Sequence, residues 1–271
     1  MRVAATLSGG DADRGAEAAR DVARGPETAR GVARDADAAR GAGGNGRNGG
    51  SRRRALRLAH RGDWRRAPEN TLPAFLAALT IPGCDGLEFD VRAARDGVAV
   101  CYHDDTLTRV HGIDRRVDEL TADELEAYGV PTLLSVLTAL PRRAFLDVEL
   151  KGDPGRGAFE ALVAGRGPGL ERAIVSSFER AALERIGGLA PLWPLWLNAS
   201  DASPATITTA LELDCRGIAV EWRSLDGAAM TRARAAGLAV TAWTVRRRPT
   251  LARLERLGVD AVCVEGSALD G

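Results

Sequence analysis

The sequence predicts an α/β fold, a (β/α)₈ barrel of the TIM type. First, apolar runs typical of strands alternate with helical patterns throughout residues 55–271, and repeated strand–helix units imply a parallel sheet. Second, about eight such units fit into this length, which suits a compact barrel. Third, the most reactive side chains stand where different strands end, and in a barrel those ends converge on one mouth. An open doubly wound sheet is the alternative.

The start of the chain differs from the rest in composition. Residues 1–54 are rich in Ala, Arg, Gly and Asp, with one Leu and no Ile, Phe, Trp or Tyr. Such a segment cannot bury enough apolar area to offset the entropy lost on ordering. We therefore expect a disordered low-complexity tail over residues 1–54 and a barrel domain over residues 55–271. A misassigned start codon is an alternative explanation for the tail.

The elements of the barrel follow in order along the chain. Strands are predicted at residues 55–60, 86–91, 98–103, 145–151, 173–176, 192–197, 217–221, 238–244 and 260–264. Helices are predicted between them, near residues 71–79, 133–140, 158–164, 179–186, 204–213, 226–236 and 249–257. The expected N-caps are Thr71, Ser203 and Asp226, and the expected helix ends are marked by Gly187, Gly237 and Gly258.

The charge balance argues against a general nucleic-acid binder. Residues 55–271 carry 26 basic and 30 acidic side chains, a net charge of −4, and nucleic-acid binders are typically basic. No apolar stretch is long enough to span a membrane. The four cysteines are scattered, without the spacing of a metal site, which fits a reducing compartment. Because targeting signals are also missing, we expect a cytoplasmic protein; its oligomeric state is left open.

Lys151 is the only lysine in a chain with thirty-six arginines. A lone lysine in this background suggests a position where a compact ammonium is needed and a broad guanidinium will not serve. It ends a predicted buried strand and lies two residues after Glu149, so both side chains point to the same face. The other interpretation is a surface ion pair in which lysine survives by chance.

Two of the three histidines also end apolar runs. His60 ends the first predicted strand and His103 ends the third, and between them Glu88 and Asp90 lie two residues apart within a short strand. Buried carboxylates are costly unless they are paired or bind a metal. Together with Glu149, these residues suit acid–base chemistry around a hard divalent cation.

The sequence resembles the glycerophosphodiester phosphodiesterase family over essentially all of residues 55–270. Five short motifs carry the resemblance in order and spacing: His60-Arg61-Gly62, Pro68-Glu69-Asn70-Thr71, Glu88-Phe89-Asp90, His103-Asp104 and Glu149-Leu150-Lys151. The resemblance implies a (β/α)₈ barrel with a small insertion after the second strand, here residues 104–129. It also implies hydrolysis of glycerophosphodiesters, as small-molecule substrates, to glycerol 3-phosphate and an alcohol.

The resemblance further implies a role for each motif residue. Glu88, Asp90 and Glu149 would bind one divalent cation, Mg²⁺ or Ca²⁺, since oxygen ligands fit either ion. Arg61 and Lys151 would contact the phosphate, and His60 and His103 would act as general acid and general base, in an order that the sequence does not decide. Supporting positions are expected at Glu69, Asn70, Asp104 and Trp243.

Two positions depart from the family pattern near the end of the chain. Arg246 stands where the family usually has Asn, and Glu265 stands where it usually has Asp. They are interpreted either as ordinary loop charges or, for Arg246, as an extra contact to an anionic headgroup. The substrate class therefore keeps alternatives: a lysophospholipase D or phospholipid lyase, which would need an apolar rim, or a non-catalytic barrel that binds a phosphorylated ligand.

Overall fold

A computed structural model of the protein describes residues 54–270. In this part of the chain, eight parallel strands form a closed barrel. Neighbours follow the order β1-β9-β8-β7-β6-β5-β4-β2, and β1 also pairs with β2, which closes the ring. The barrel strands are β1 (Leu56–His60), β2 (Gly86–Ala93), β4 (Phe145–Leu150), β5 (Ala173–Ser177), β6 (Leu195–Ala199), β7 (Gly217–Glu221), β8 (Ala239–Val245) and β9 (Ala261–Val264). The predicted barrel is confirmed over the open sheet, and its predicted tail lies outside the described residues except for Arg54.

Helices cover the outside of the barrel between successive strands. They are α1 (Leu72–Leu79), α4 (Leu133–Ala139), α5 (Gly155–Arg166), α6 (Arg180–Leu189), α7 (Pro204–Glu212), α8 (Gly227–Ala235) and α9 (Arg248–Leu257). After β9 only a 3₁₀ turn, Gly266–Ala268, follows within the described residues. None of these helices combines the length and apolar character needed to cross a membrane.

The insertion after β2 is a small unit with its own core. It begins with the short strand β3 (Ala99–Cys101) and contains the helices α2 (Thr108–His111) and α3 (Ala122–Glu126). Its buried apolar side chains form a cluster separate from the main core: Ala94, Val100, Tyr102, Leu107, Val117, Leu120, Ala122, Leu125 and Val130. This cluster fixes the loop that carries His103 against the edge of the barrel.

The strand predicted over residues 98–103 is shorter than expected and runs in the opposite direction to the barrel strands. β3 pairs antiparallel with β2 and does not enter the barrel. The reversal occurs at Gly97, where φ is +78°, a conformation that glycine adopts without steric cost. His103 therefore follows a hairpin and reaches the barrel mouth from a loop.

Two further boundary predictions need correction, and a third is confirmed in position only. Gly187 lies within α6, where an added Cβ would meet Leu195 at 3.2 Å, so the glycine permits close packing and does not end the helix. Thr71 is the N-cap residue of α1, as predicted, but its side chain makes no capping bond, and its hydroxyl donates to the Pro68 carbonyl. The strand predicted from residue 192 begins at Leu195, after Pro194, which has no N–H for strand pairing.

Candidate functional site

The candidate site is a cavity at the C-terminal ends of the barrel strands. His60, Glu88, His103, Glu149 and Lys151 all line it, although they come from four segments separated in sequence. Parallel pairing explains this convergence, because β1, β2 and β4 are neighbours and their ends open on the same side. The structure brings these residues together at one mouth of the barrel, as the sequence predicts.

Three carboxylates form the acidic centre of the cavity. Asp90 of β2 lies directly opposite Glu149 of β4 in the strand register, and Glu88 lies one pleat deeper on the same face. One oxygen from each of the three lies within 4.8 Å of the others, and all three residues are buried. Carboxylate oxygens in this arrangement are compatible with a divalent cation.

The electrostatics of these acids also fit a cation. Burial, together with the charges of Asp90 and Glu149, raises the pKa of Glu88 well above its ordinary value. Burial and Asp90 raise the pKa of Glu149 to about 6. Glu88 Oε2 and Asp90 Oδ1 are buried and receive no hydrogen bond, and an unsatisfied buried oxygen is costly. The donor set therefore fits a divalent ion without identifying it.

Two basic side chains border the acidic centre. Lys151 donates to Glu149 and places Nζ 3.3 Å from Asp90 Oδ1. Arg61 places Nε 3.0 Å from Asp90 Oδ2 on the other side. Asn70 also binds Asp90: its Nδ2 donates to Asp90 Oδ2 at 2.9 Å, and its Oδ1 accepts the Asp90 N–H at 3.2 Å. Asp90 is thus fixed from three sides.

His60 is held by a carboxylate that the sequence interpretation left as a possible loop charge. Its Nδ1 contacts Glu265 Oε1, and its Nε2 lies 3.7 Å from Glu88 Oε2. Burial opposes ionisation of Glu265, but the hydrogen bond and charge of His60, with Arg246, lower its pKa to about 2. The ionised carboxylate can only accept, so Nδ1 of His60 carries the hydrogen.

His103 has an equivalent partner in Asp104. The two side chains meet through Nδ1 and Oδ1 at 2.6 Å. Burial is the main reason that the pKa of His103 is lowered, and nearby Arg61 and Lys151 add to this against the opposing effect of Asp90 and Asp104. The neutral imidazole is favoured, with Nδ1–H donated to Asp104 and Nε2 free to accept a proton.

Glu69 lies beside Arg61 and outside the cluster of three acids. It accepts a hydrogen bond from Arg61 Nη1 at 3.1 Å and is also contacted by Arg109 of α2. Glu69 therefore supports Arg61 from outside the acidic cluster.

Aromatic side chains form the wall opposite the insertion. Trp243 and Phe178 meet edge to face with ring centroids 5.5 Å apart, and Lys151 Nζ lies 5.5 Å from the Phe178 centroid. Trp243 Nε1 donates to the Ala219 carbonyl at 2.9 Å, which fixes its ring. Trp243 lines the cavity.

Four residues at the candidate site were not predicted from the sequence: Arg109, Phe178, Ser176 and Asn198. Ser176 donates to Asp147 at 2.6 Å and accepts from Asn198, which links three polar side chains of the neighbouring strands β4, β5 and β6. Strand register could have indicated Ser176, which lies opposite Glu149. Arg109 has no such signal, because it belongs to an insertion whose conformation does not follow the barrel repeat.

Comparison with known proteins identifies the family of this site. Residues 60–154 and 156–267 match the model of the Glycerophosphoryl diester phosphodiesterase family. A glycerophosphodiester phosphodiesterase from Caldanaerobacter subterraneus subsp. tengcongensis is 26% identical over 230 residues, covering 78% of this chain and 94% of that protein.

Solved structures agree with this match. A phosphodiesterase from Oleispira antarctica, in complex with its product sn-glycerol-3-phosphate, superposes with a TM-score of 0.70 at 29% identity, covering 77% of this chain and 92% of that chain. A glycerophosphodiester phosphodiesterase from Agrobacterium tumefaciens gives a TM-score of 0.64 at 25% identity, covering 80% and 98%.

Proposed function

The chain belongs to the glycerophosphoryl diester phosphodiesterase family, and from this premise we propose that it hydrolyses glycerophosphodiesters to glycerol 3-phosphate and an alcohol. The observation that carries the proposal is one cavity lined by two basic side chains, two carboxylate-backed histidines and the carboxylates of Glu88 and Glu149, which cluster with the buried Asp90. A phosphodiester is anionic and repels nucleophiles, so its hydrolysis requires charge neutralisation and proton transfer in one place.

Arg61 and Lys151 are the proposed phosphate ligands. Both are largely buried, face the cavity and stay charged, since the neighbouring carboxylates raise their pKa against the opposing effect of burial. The guanidinium offers a planar fork of donors, whereas the ammonium is a compact point charge. The two together match the non-bridging oxygens of a diester from two sides.

Glu88, Asp90 and Glu149 are the proposed cation ligands. Their clustered oxygens, two of them without hydrogen bonds, are the reason for this assignment. A bound Mg²⁺ or Ca²⁺ would supply Lewis-acid polarisation of the phosphate and offset the charge that develops on its oxygens. In the free site, Lys151 and Arg61 balance part of this negative charge.

His103 is the proposed general base and His60 the proposed general acid. Burial favours neutral His103, and its bond to Asp104 leaves Nε2 ready to take a proton from the attacking hydroxyl. Glu265 holds His60 through Nδ1, which orients Nε2 for the transfer of a proton to the leaving alcohol. The attacking group is either the neighbouring glycerol hydroxyl, giving a cyclic phosphate that water opens, or water itself.

The test is release of glycerol 3-phosphate from glycerophosphocholine by the full chain with Mg²⁺, Ca²⁺ or a chelator. His60→Ala and His103→Ala should each reduce turnover by roughly a hundredfold or more. His111→Ala is the matched control, because this third histidine stacks on Tyr102 away from the cavity and should leave turnover unchanged.

Two other results would replace the proposal. Turnover of lysophosphatidylcholine in place of glycerophosphocholine would assign a lysophospholipid substrate to the same site. Binding of glycerol 3-phosphate without turnover of either diester, with any of the metals, would indicate a binding barrel.

A further inference from the structure

Arg109 connects the surroundings of two residues that face the cavity, His103 and Arg61. It belongs to α2 of the insertion, and its guanidinium contacts one carboxylate of the insertion, Asp104, and one of the loop after β1, Glu69. Nε donates to Asp104 Oδ2 at 2.5 Å, while Nη2 and Nη1 donate to Glu69 at 2.5 and 3.2 Å. The fork of the guanidinium is therefore used on two partners at once.

Each of these carboxylates holds a residue that faces the cavity. Asp104 uses its other oxygen, Oδ1, to accept from His103. Glu69 accepts from Arg61, which in turn pairs with Asp90. One continuous set of charged contacts thus runs from the imidazole of His103 through Arg109 to the guanidinium of Arg61.

The burial of the partners makes these contacts stronger than ordinary surface pairs. The Arg109 side chain is 50% exposed, but those of Asp104 and Glu69 are only 20% and 21% exposed. Isolated exposed ion pairs contribute little, whereas networks with multiple fixed hydrogen bonds hold geometry. Burial opposes the ionisation of Asp104, and the bonds from Arg109 and His103 outweigh it and lower its pKa.

We propose that Arg109 is a positioning residue for the reaction proposed above, on which this inference rests. It fixes Asp104 behind His103 and Glu69 behind Arg61, and so sets the distance between the proton-accepting and phosphate-binding groups. The insertion, in this proposal, completes the site through a side chain that touches neither the substrate nor the cation.

Kinetics of Arg109→Met with glycerophosphocholine test this role. Displacement of a reacting group by about 1 Å costs up to roughly a hundredfold in rate, so we expect kcat/KM to fall by about tenfold or more, mainly through kcat. Arg109→Lys should fall similarly, because one ammonium cannot reproduce the fork that joins both carboxylates. Normal kcat in both variants would overturn the proposal.

Arg116→Met is the matched control. Arg116 lies in the same insertion, is 46% exposed and pairs with two carboxylates, those of Asp105 and Asp118, but these do not contact His103 or Arg61. We expect its kcat to equal that of the wild type. An equal loss in Arg116→Met would assign the effect to the fold of the insertion and would overturn the specific role of Arg109.

A double variant tests whether Arg109 acts through Asp104. If it does, the loss of kcat in Asp104→Asn/Arg109→Met falls clearly short of the product of the two single losses, since coupled residues are not additive. If the loss of kcat in the double variant equals the product of the two single losses, Arg109 does not act through Asp104.

Nitrogen-15 NMR of the imidazoles supplies a readout that needs no turnover and no metal. The chain has three histidines, so His60→Ala and His111→Ala variants assign the signals of His103. In Arg109→Met we expect the Nδ1 and Nε2 signals of His103 to move toward the average of two tautomers, while those of His60 stay in place. Unchanged His103 signals would overturn the proposal, and inactivity of the wild type would count against the diesterase function alone.

Discussion

Glu265 at the end of β9 binds His60 at the end of β1 through Nδ1 of the imidazole. The two strands are neighbours in the closed barrel although the residues are 205 positions apart. Arg246 completes the arrangement by donating to the other oxygen of Glu265 at 2.7 Å. The two positions at which the sequence departs from the family pattern therefore form one ion pair directly behind a proposed catalytic residue.

Glu265→Gln should lower kcat with little change in KM. The amide can still accept from His60 Nδ1, but this uncharged hydrogen bond is weaker and orients the imidazole less firmly. A positioned acid–base group contributes about 10²–10⁴-fold in all. We expect a loss of at least roughly tenfold in steady-state turnover. Glu255→Gln, which alters a glutamate paired with Arg57 and distant from the histidines, should leave kcat unchanged. Equal turnover in the two variants would contradict this role of Glu265.

Lys151→Arg should reduce turnover by more than roughly tenfold, or about 1.4 kcal/mol in the barrier. The ammonium lies between Asp90 and Glu149 with only 15% of the side chain exposed. A guanidinium is broader and cannot enter this space in the same geometry. Turnover is measured at saturating diester and metal. Near-normal activity would refute the argument from the single lysine while leaving the family membership intact.

Asp104→Asn should move the acidic limb of the pH–kcat/KM profile to lower pH. Activity requires neutral His103, whose pKa lies below its ordinary value of about 6.5. Burial, Arg61 and Lys151 lower this pKa, while Asp90 and Asp104 raise it. Losing the Asp104 carboxylate removes a raising influence, so His103 stays neutral to more acidic pH. A limb that moves upward or stays in place would contradict the assignment of His103 as base.

Much of the barrel could be predicted because its strands are short apolar runs whose ends carry charged residues. His60, Asp90 and Glu149 follow from that pattern, since parallel register brings strand ends together. The direction of β3, a strand of three residues, could not be predicted in this way, because the composition of a strand does not depend on the direction in which it runs. The partners of Arg109 and Glu265 depend on loop conformation and barrel closure, which local sequence does not encode.

Gly62→Ala should destabilise the protein by about 1–3 kcal/mol. Gly62 follows the His60-Arg61 pair with φ +83°, and an added Cβ would lie 2.7 Å from the Ala74 backbone. Both backbone strain and overlap with α1 oppose the substitution. Denaturant unfolding gives the free energy of unfolding.

Gly97→Ala is the control for this substitution. Gly97 also has a positive φ, +78°, but an added Cβ there meets nothing within 4 Å. The difference in unfolding free energy between the two variants therefore measures the overlap with α1. A Gly62→Ala variant no less stable than Gly97→Ala would show that the chain shifts without cost.

A divalent cation should raise the Tm of the wild-type protein, because it binds the folded acidic cluster and has no such site in the unfolded chain. At a hundred times Kd this linkage contributes about 2.7 kcal/mol, equivalent to roughly 5–10 °C for a domain of this size. Thermal unfolding is followed with Mg²⁺, with Ca²⁺ and with a chelator, and the ion with the larger shift at equal concentration is the better ligand.

Glu149→Gln should abolish that rise in Tm, since it removes one of the three charged ligands while preserving side-chain volume. Glu184→Gln is its control, because Glu184 is an exposed glutamate that pairs with Arg180 on the outer face of α6. It should retain the full metal-dependent shift. A shift that persists in Glu149→Gln would place the cation elsewhere, and because this readout needs no substrate, that result would stand whatever diester the enzyme turns over.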